Sequence, residues 1–144
     1  IATNSSTLYI TGIQLEVGTA TPFEHRSFAD ELVRCQRYLY QPEFTTGGTS
    51  FANSSMYTST MVFCHVPFPV TMRTPPSVSF SSVSNGFRAY SHGQNDDFTA
   101  FDGIQDNGTT GNALYKDGLS SVTGAAGWIQ MTASGTYVRF DAEL

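Results

Sequence analysis

The sequence predicts a mainly β fold, an antiparallel β-sandwich or jelly roll with one short α-helix near its N-terminal end. Short runs in which apolar and polar residues alternate, as strands do, recur along most of the 144 residues. Gly, Asn and Pro punctuate these runs at frequent intervals. The runs number about eight, which is typical of sandwiches and jelly rolls. One segment alone has the apolar spacing of a helix.

The predicted helix covers residues 28–40. Ser27 is a good N-cap, and the carboxylate of Asp30, three residues later, can reach back to free backbone amides. Pro42 ends the helical pattern shortly afterwards. One face is apolar and carries Phe28, Leu32, Cys35 and Leu39.

Turn chemistry and alternation predict the remaining elements. Asn85-Gly86 suits the left-handed angles of a type I′ turn, which predicts a hairpin over Ser77–Tyr90. Met56–Val66 is predicted as one strand, partly apolar on both faces, as expected between a sheet and a neighbouring subunit. Two polar loops are predicted at 91–97 and 106–112. Two closing strands are predicted at Gly127–Ala133 and Thr136–Leu144.

Composition excludes several classes of function. The formal net charge is −5, which argues against nucleic acid as a partner because phosphates demand a basic surface. No apolar run approaches the roughly 20 residues that cross a bilayer, so membrane insertion is not expected. Charged residues are 13% of the chain, about half the usual share, and Ser, Thr, Gly and Asn replace them. Such a surface suits a tight oligomer or an extracellular adhesin.

The two cysteines are predicted to be reduced and buried. Cys35 falls on the apolar face of the predicted helix, and Cys64 falls in a strand-like run. Both are natural places for small buried hydrophobes.

No catalytic, metal or cofactor site is predicted. Glycine-rich phosphate loops, HExxH, GxSxG and CxxC motifs are missing from the sequence. Clustered aspartates raise two further hypotheses. They could bind calcium, although their spacing is not that of an EF-hand loop, or two of them could be the catalytic carboxyls of a glycosidase. Acidic loop residues are usually solvated, so we expect neither. These aspartates are Asp96, Asp97, Asp102 and Asp106.

Three stretches resemble bacteriophage and prophage tail-fibre proteins. They read GIQLEVGTATPFEHRSFADELVRCQRYLY (Gly12–Tyr40), VPFPVTMRTPPSVSF (Val66–Phe80) and VRFDAEL (Val138–Leu144). In such proteins the first stretch lies just ahead of the C-terminal domain, whereas Phe87–Trp128 resembles no family we can name. The resemblance implies a trimeric, mainly β tip domain. Residues 1–20 would then end an upstream fibre region as an extended strand, and 21–144 would form the tip.

The resemblance further implies a structural virion protein that attaches to host cell-surface glycan. Its expected partners are two further copies in a homotrimer, the host polysaccharide or another receptor, and the upstream fibre segments. Its expected location is the virion, assembled in the bacterial cytoplasm, where thiols stay reduced. The alternatives are a glycan-binding module of a secreted bacterial protein and a C-terminal trimerisation domain of a tailspike depolymerase.

The receptor contact is predicted in the loops between Tyr90 and Asn112. Sugar sites combine an exposed aromatic face with amide and carboxylate groups that bond hydroxyls. The residues that supply this mixture are Tyr90, His92, Gln94, Asn95, Asp96 and Asp97, with Trp128 as a further candidate. Trp128 and Tyr90 could instead lie in a subunit interface. The competing location for the receptor is the outer face of the last strands, around Trp128 and Tyr137.

Overall fold

The fold consists of two antiparallel β-sheets and one helix in a computed structural model, which describes residues 13–15, 17–19, 21–22, 25–45 and 48–143. This confirms the predicted fold class. The described residues before the helix are not in a strand, and the rest of the strand predicted for 1–20 lies outside the described residues. The elements are α1 (Phe28–Gln36), β1 (Leu39–Tyr40), β2 (Thr49–Met56), β3 (Val62–Pro67), β4 (Ser77–Phe80), β5 (Phe87–Ser91), β6 (Gln94–Phe98), β7 (Gly103–Asn107), β8 (Gly111–Lys116), β9 (Ala126–Met131) and β10 (Val138–Asp141).

The larger sheet has seven strands in the order β6-β5-β9-β2-β3-β8-β7, and the smaller has three in the order β1-β10-β4. Their facing sides form the apolar core. Phe101 lies at its centre and contacts Phe51 and Phe87 from the large sheet and Phe80 from the small one. Val138 and Phe140 of β10 are fully buried, as the alternation of the last strand predicts.

The N-cap of α1 is the predicted one. The Ser27 hydroxyl accepts a hydrogen bond from the Asp30 amide at 3.1 Å and donates one to the Asp30 carboxylate at 2.6 Å. The helix nevertheless ends at Gln36, so the expectation that it reaches residue 40 is wrong. Leu39 and Tyr40 instead pair with Asp141 and Phe140 as β1. Strand pairing and burial beside Phe140 outweigh local helix propensity there.

The predicted hairpin over Ser77–Tyr90 is wrong. The chain does turn at Asn85, with φ of 51° at that residue, but Gly86 lacks the positive φ that the predicted type I′ turn requires. The Gly86 amide instead donates to the Val83 carbonyl at 3.0 Å. Strand β4 joins β10 in the small sheet, and β5 joins β6 and β9 in the large one. The chain therefore crosses the sandwich. Phe80 and Phe87 reach Phe101 from opposite sheets, with ring centroids 5.4 and 5.3 Å away, so the crossing packs both rings against Phe101.

The stretch 91–97, predicted as a loop, is mostly a hairpin between β5 and β6. Its turn is His92-Gly93, with φ of 48° and 73°, and two positive angles are the signature of a type I′ turn. The second loop, 106–112, is likewise narrower than predicted, since β7 ends at Asn107 and β8 begins at Gly111. Asn and Asp are depleted in strands, and residues 95–97 of β6 are of these types, so the sequence pattern did not reveal this edge strand.

Met56–Val66 is not one strand, as predicted, but a hairpin of β2 and β3. The chain reverses between Met56 and Val62, where the Tyr57 amide donates to the Met61 carbonyl at 2.8 Å. The Thr58 hydroxyl accepts from the Met61 amide at 2.9 Å and closes the turn. In the described part of the chain, no helix has the length and apolar character needed to span a bilayer.

Candidate functional site

One row of cross-strand partners crosses all seven strands on the outer face of the large sheet. Side chains alternate along each strand, so partners in register share a face. The neighbours of this row along their strands point inward, for example Ala89, Ile129 and Leu114, which are buried. In strand order the row consists of Asn95, Tyr90, Trp128, Asn53, His65, Ala113 and Asp106.

Tyr90 and Trp128 form a stacked aromatic pair within this row. Their ring centroids are 4.8 Å apart and their planes differ by 18°. Trp128 remains 45% exposed. Such pairs contribute about 0.5–1.5 kcal/mol beyond the area they bury, so each ring fixes the orientation of the other. The pair presents a rigid aromatic edge to solvent.

Gly127 allows β5 and β9 to come close enough for this stacking. A Cβ atom at position 127 would lie 1.8 Å from the carbonyl oxygen of Tyr90. No side chain fits there without separating the two strands. The stacking of Tyr90 on Trp128 therefore requires glycine at position 127.

The aromatic pair borders a shallow depression of about 200 Å³. Five of the predicted site residues line it: Tyr90, His92, Gln94, Asn95 and Trp128. The β5–β6 turn supplies His92 and Gly93, and β9 supplies Trp128 and Ala126. The structure thus joins Trp128 to the segment after Tyr90. The grouping of Trp128 with Tyr137 is wrong, because Tyr137 lies beside the small sheet, where it bridges to Glu43.

Asp96 and Asp97 do not line the depression, although the sequence pattern grouped them with it. Asp96 accepts a hydrogen bond from the Ser120 amide at 2.7 Å. Asp97 binds Arg88 through both oxygens, at 2.5 and 2.8 Å. The hydrogen bond to Arg88 holds the pKa of the Asp97 carboxyl below its ordinary value of 3.8. Arg88 also donates a hydrogen bond to the hydroxyl of Tyr90 at 3.5 Å, so the Arg88–Asp97 ion pair supports the aromatic pair. The opposite charges of Arg88 and Asp97 cancel.

The other candidate aspartates are dispersed. Asp102 accepts from Lys116 at 2.8 Å and from the Asp117 amide at 2.7 Å. Burial raises the pKa of Asp102, but these two bonds outweigh it and the net shift is downward. Asp106 is exposed on β7. Within the residues that the structure describes, no three His, Cys, Asp or Glu side chains are grouped as metal ligands.

A second depression of about 250 Å³ lies on the same outer face. Its lining includes Asn53, Ser55, Phe63, His65 and Ala113. Asn53 is the register partner of Trp128, so the second depression begins one strand away from the aromatic pair. Sequence reasoning missed it. The available signal was the alternation of Phe63 and His65 with the buried Cys64.

Helix α1 and the first residue of β1 carry a second, chemically different surface, which we term the helix stripe: Phe28, Leu32, Val33 and Leu39. None of the nine helical residues is buried. Phe28 is 82% exposed, and the other three are between 42% and 47% exposed. The adjoining flank has a wide depression lined by Arg26, Arg34, Arg37 and Tyr38, among others.

The two cysteines differ. Cys35 is exposed on α1, so its predicted burial is wrong: none of the helical residues is buried. Cys64 is buried as predicted, and burial raises the pKa of its thiol to about 12. Both thiols are free.

Comparison of the chain with protein-family models, with curated proteins and with solved structures found no match in any of the three.

Proposed function

We propose that this protein is the receptor-binding tip of a bacteriophage tail fibre, which attaches as a homotrimer to glycan on the host cell surface. The observation that carries the proposal is the exposed stacked pair of Tyr90 and Trp128 beside uncharged amide side chains. The tail-fibre resemblance of Gly12–Tyr40, Val66–Phe80 and Val138–Leu144 supports the setting. On this proposal the tip is a structural part of the virion, assembled in the host cytoplasm and joined to upstream fibre segments, with no enzymatic activity of its own.

The depression suits a sugar for a chemical reason. A pyranose ring has apolar C–H faces, which pack on aromatic rings, and hydroxyl groups that both donate and accept hydrogen bonds. The amides of Asn95 and Gln94 offer both a donor and an acceptor, which matches a hydroxyl. Arg88 is already paired with Asp97, so no unpaired charge competes at the aromatic pair.

The helix stripe supports self-association. Burying apolar surface contributes about 25 cal/mol per Å², and each of the four side chains of the stripe is at least 42% exposed within one chain. Its side chains include Phe and are flanked by Arg and Tyr, types that are enriched in protein interfaces. We assign its occupant as other copies of the chain. A trimer presents three glycan sites, and linked sites gain avidity without any new contact, potentially by about 10² or more.

Binding of the fluorescently labelled protein to a panel of bacterial strains tests the proposal. We expect binding that periodate oxidation of surface glycans removes and that protease treatment of the cells leaves intact. Trp128→Ala should lose binding. Tyr137→Ala is the matched control, because it removes a half-buried ring on the small sheet and should bind normally.

The outcomes separate the two remaining candidate functions. Glycan binding by a monomer would favour a glycan-binding module of a secreted protein, because a module needs no trimer. A trimer that binds no cells would favour the trimerisation domain of a tailspike depolymerase. A protein that neither trimerises nor binds glycan would contradict the proposal altogether.

A further inference from the structure

We infer that the glycan site extends across the sheet to a second subsite around Phe63 and Tyr115, and that it accepts an uncharged oligosaccharide chain lying across the strands. This inference rests on the proposed function. It adds the extent of the site, the direction of the ligand and the charge class of the sugar.

The register places the two subsites side by side. Trp128 on β9 opposes Asn53 on β2, and Asn53 opposes His65 on β3. Asn53 and His65 both line the second depression, so the two depressions meet between Trp128 and Asn53. Phe63 lies two strands away from Trp128. Since adjacent strands are about 4.8 Å apart, the lateral separation is roughly 10 Å, which requires a ligand longer than one sugar ring.

The second subsite is aromatic and held in place. The rings of Phe63 and Tyr115 lie edge to face, with centroids 6.2 Å apart. Tyr115 packs over Gly103, its register partner on β7: a Cβ atom at Gly103 would lie 2.9 Å from the tyrosine ring. The ring therefore rests against the sheet backbone on that side. Phe63 and Tyr115 are both only partly buried, which leaves aromatic surface for a ligand.

The surface between the subsites is polar. Its side chains are Asn53, Ser55 and His65, which offer amide, hydroxyl and imidazole groups. Among the described residues that line the two depressions, none is Lys or Arg. An acidic sugar would therefore find no lysine or arginine there, and the net charge of −5 would repel it. These features favour a neutral oligosaccharide as the ligand.

Size-graded fragments of surface polysaccharide, released from a strain that the protein binds and separated by charge, test the inference. Calorimetry measures each affinity, because the two variants below add a second tryptophan whose emission would overlap that of Trp128. We expect neutral fragments to bind more tightly with length, from disaccharide to octasaccharide, because longer fragments reach the second subsite. Ser55→Trp fills the second depression from an exposed position. We expect it to weaken octasaccharide binding about tenfold or more and disaccharide binding much less, because the disaccharide is held by Tyr90 and Trp128.

The matched control is Ser79→Trp, at an exposed serine on β4 of the small sheet. It should titrate like the unmodified protein. Affinity that does not depend on length, or that Ser55→Trp leaves unchanged for the octasaccharide, would overturn the second subsite and leave the proposed function standing. Preferential binding of acidic fragments would overturn the assigned charge class. If no bacterial strain is bound at all, the proposed function fails, and this inference fails with it.

Discussion

The indole ring of Trp128 lies nearly parallel to the phenol ring of Tyr90, with centroids 4.8 Å apart, across the pairing of β9 with β5. This contact joins the edge hairpin β5–β6 to the middle of the large sheet. It brings residues that are far apart in the sequence to the border of one depression. Its integrity depends on Gly127 and on the Arg88–Asp97 ion pair that reaches the Tyr90 hydroxyl.

We expect Gly127→Ala to lower the free energy of unfolding by about 1–3 kcal/mol, the usual range for an overpacked site. The added methyl group would collide with the carbonyl oxygen of Tyr90 and push β5 away from β9. Urea unfolding followed by circular dichroism measures the change. Ala126→Ser, at the exposed neighbouring position, is the control and should unfold like the unmodified protein. Equal midpoints for Gly127→Ala and the control would show that the strands do not approach as described.

We expect the protein to have the mass of a trimer at micromolar concentration and Leu32→Glu to be a monomer. A carboxylate in the helix stripe would be buried without a partner in the assembly, which is strongly unfavourable. Leu32 is 42% exposed within one chain, so the fold itself should survive with unchanged circular dichroism. Light scattering after size exclusion measures the mass. Val122→Glu alters a residue that is 50% exposed away from α1, and this control should remain a trimer. A monomeric unmodified protein would contradict the trimer.

The two thiols should react at different rates. In the Leu32→Glu protein, Cys35 should react with a thiol reagent within the mixing time because it is exposed. Cys64 should react only after unfolding, since it is buried and its pKa is raised to about 12. In the unmodified protein, association through α1 should slow the reaction of Cys35 as well. Rapid reaction of two thiols in the native Leu32→Glu protein would contradict the burial of Cys64.

Acid should destabilise the protein through Asp97 and Asp102. Both carboxyls have folded-state pKa values below 3.8, the first chiefly through its bond to Arg88. A depressed pKa contributes stability that is present above the unfolded-state pKa and is lost as the pH falls through the folded-state value. Urea midpoints should therefore fall below about pH 4. Asp97→Asn should lower stability at pH 7 and show a flatter decline in acid. A decline as steep as that of the unmodified protein would show that Asp97 does not contribute to the acid sensitivity.

Local chemistry predicted those elements whose pattern is complete within a few residues. Ser27 and Asp30 marked the start of α1 correctly, and the alternation at Val138 and Phe140 marked β10. The position of the turn at Asn85 was also correct, although its type I′ geometry was not. A turn does not specify which sheet each flanking strand joins. Pairing between the sheets decided that, through the burial of Phe80 and Phe87 against Phe101.

The candidate site was predictable only in part, for a related reason. Tyr90, His92, Gln94 and Asn95 are close in sequence and could be grouped from composition alone. Trp128 joined them through the register of β9 with β5, which no local pattern encodes. Asp97 does not line the depression, because its carboxylate forms an ion pair with Arg88, its partner across the β5–β6 ladder.

Fluorescence of Trp128 tests the central claim most directly, because it is the only tryptophan in the chain and lies within the proposed glycan site. The titrant is neutral surface polysaccharide from a strain that the protein binds, and calorimetry on the same samples measures binding independently. We expect a saturable change in emission, shifted to shorter wavelength as the sugar shields the indole from water, with the same midpoint as the calorimetric curve. Binding detected by calorimetry without any change in Trp128 emission would place the receptor elsewhere on the molecule.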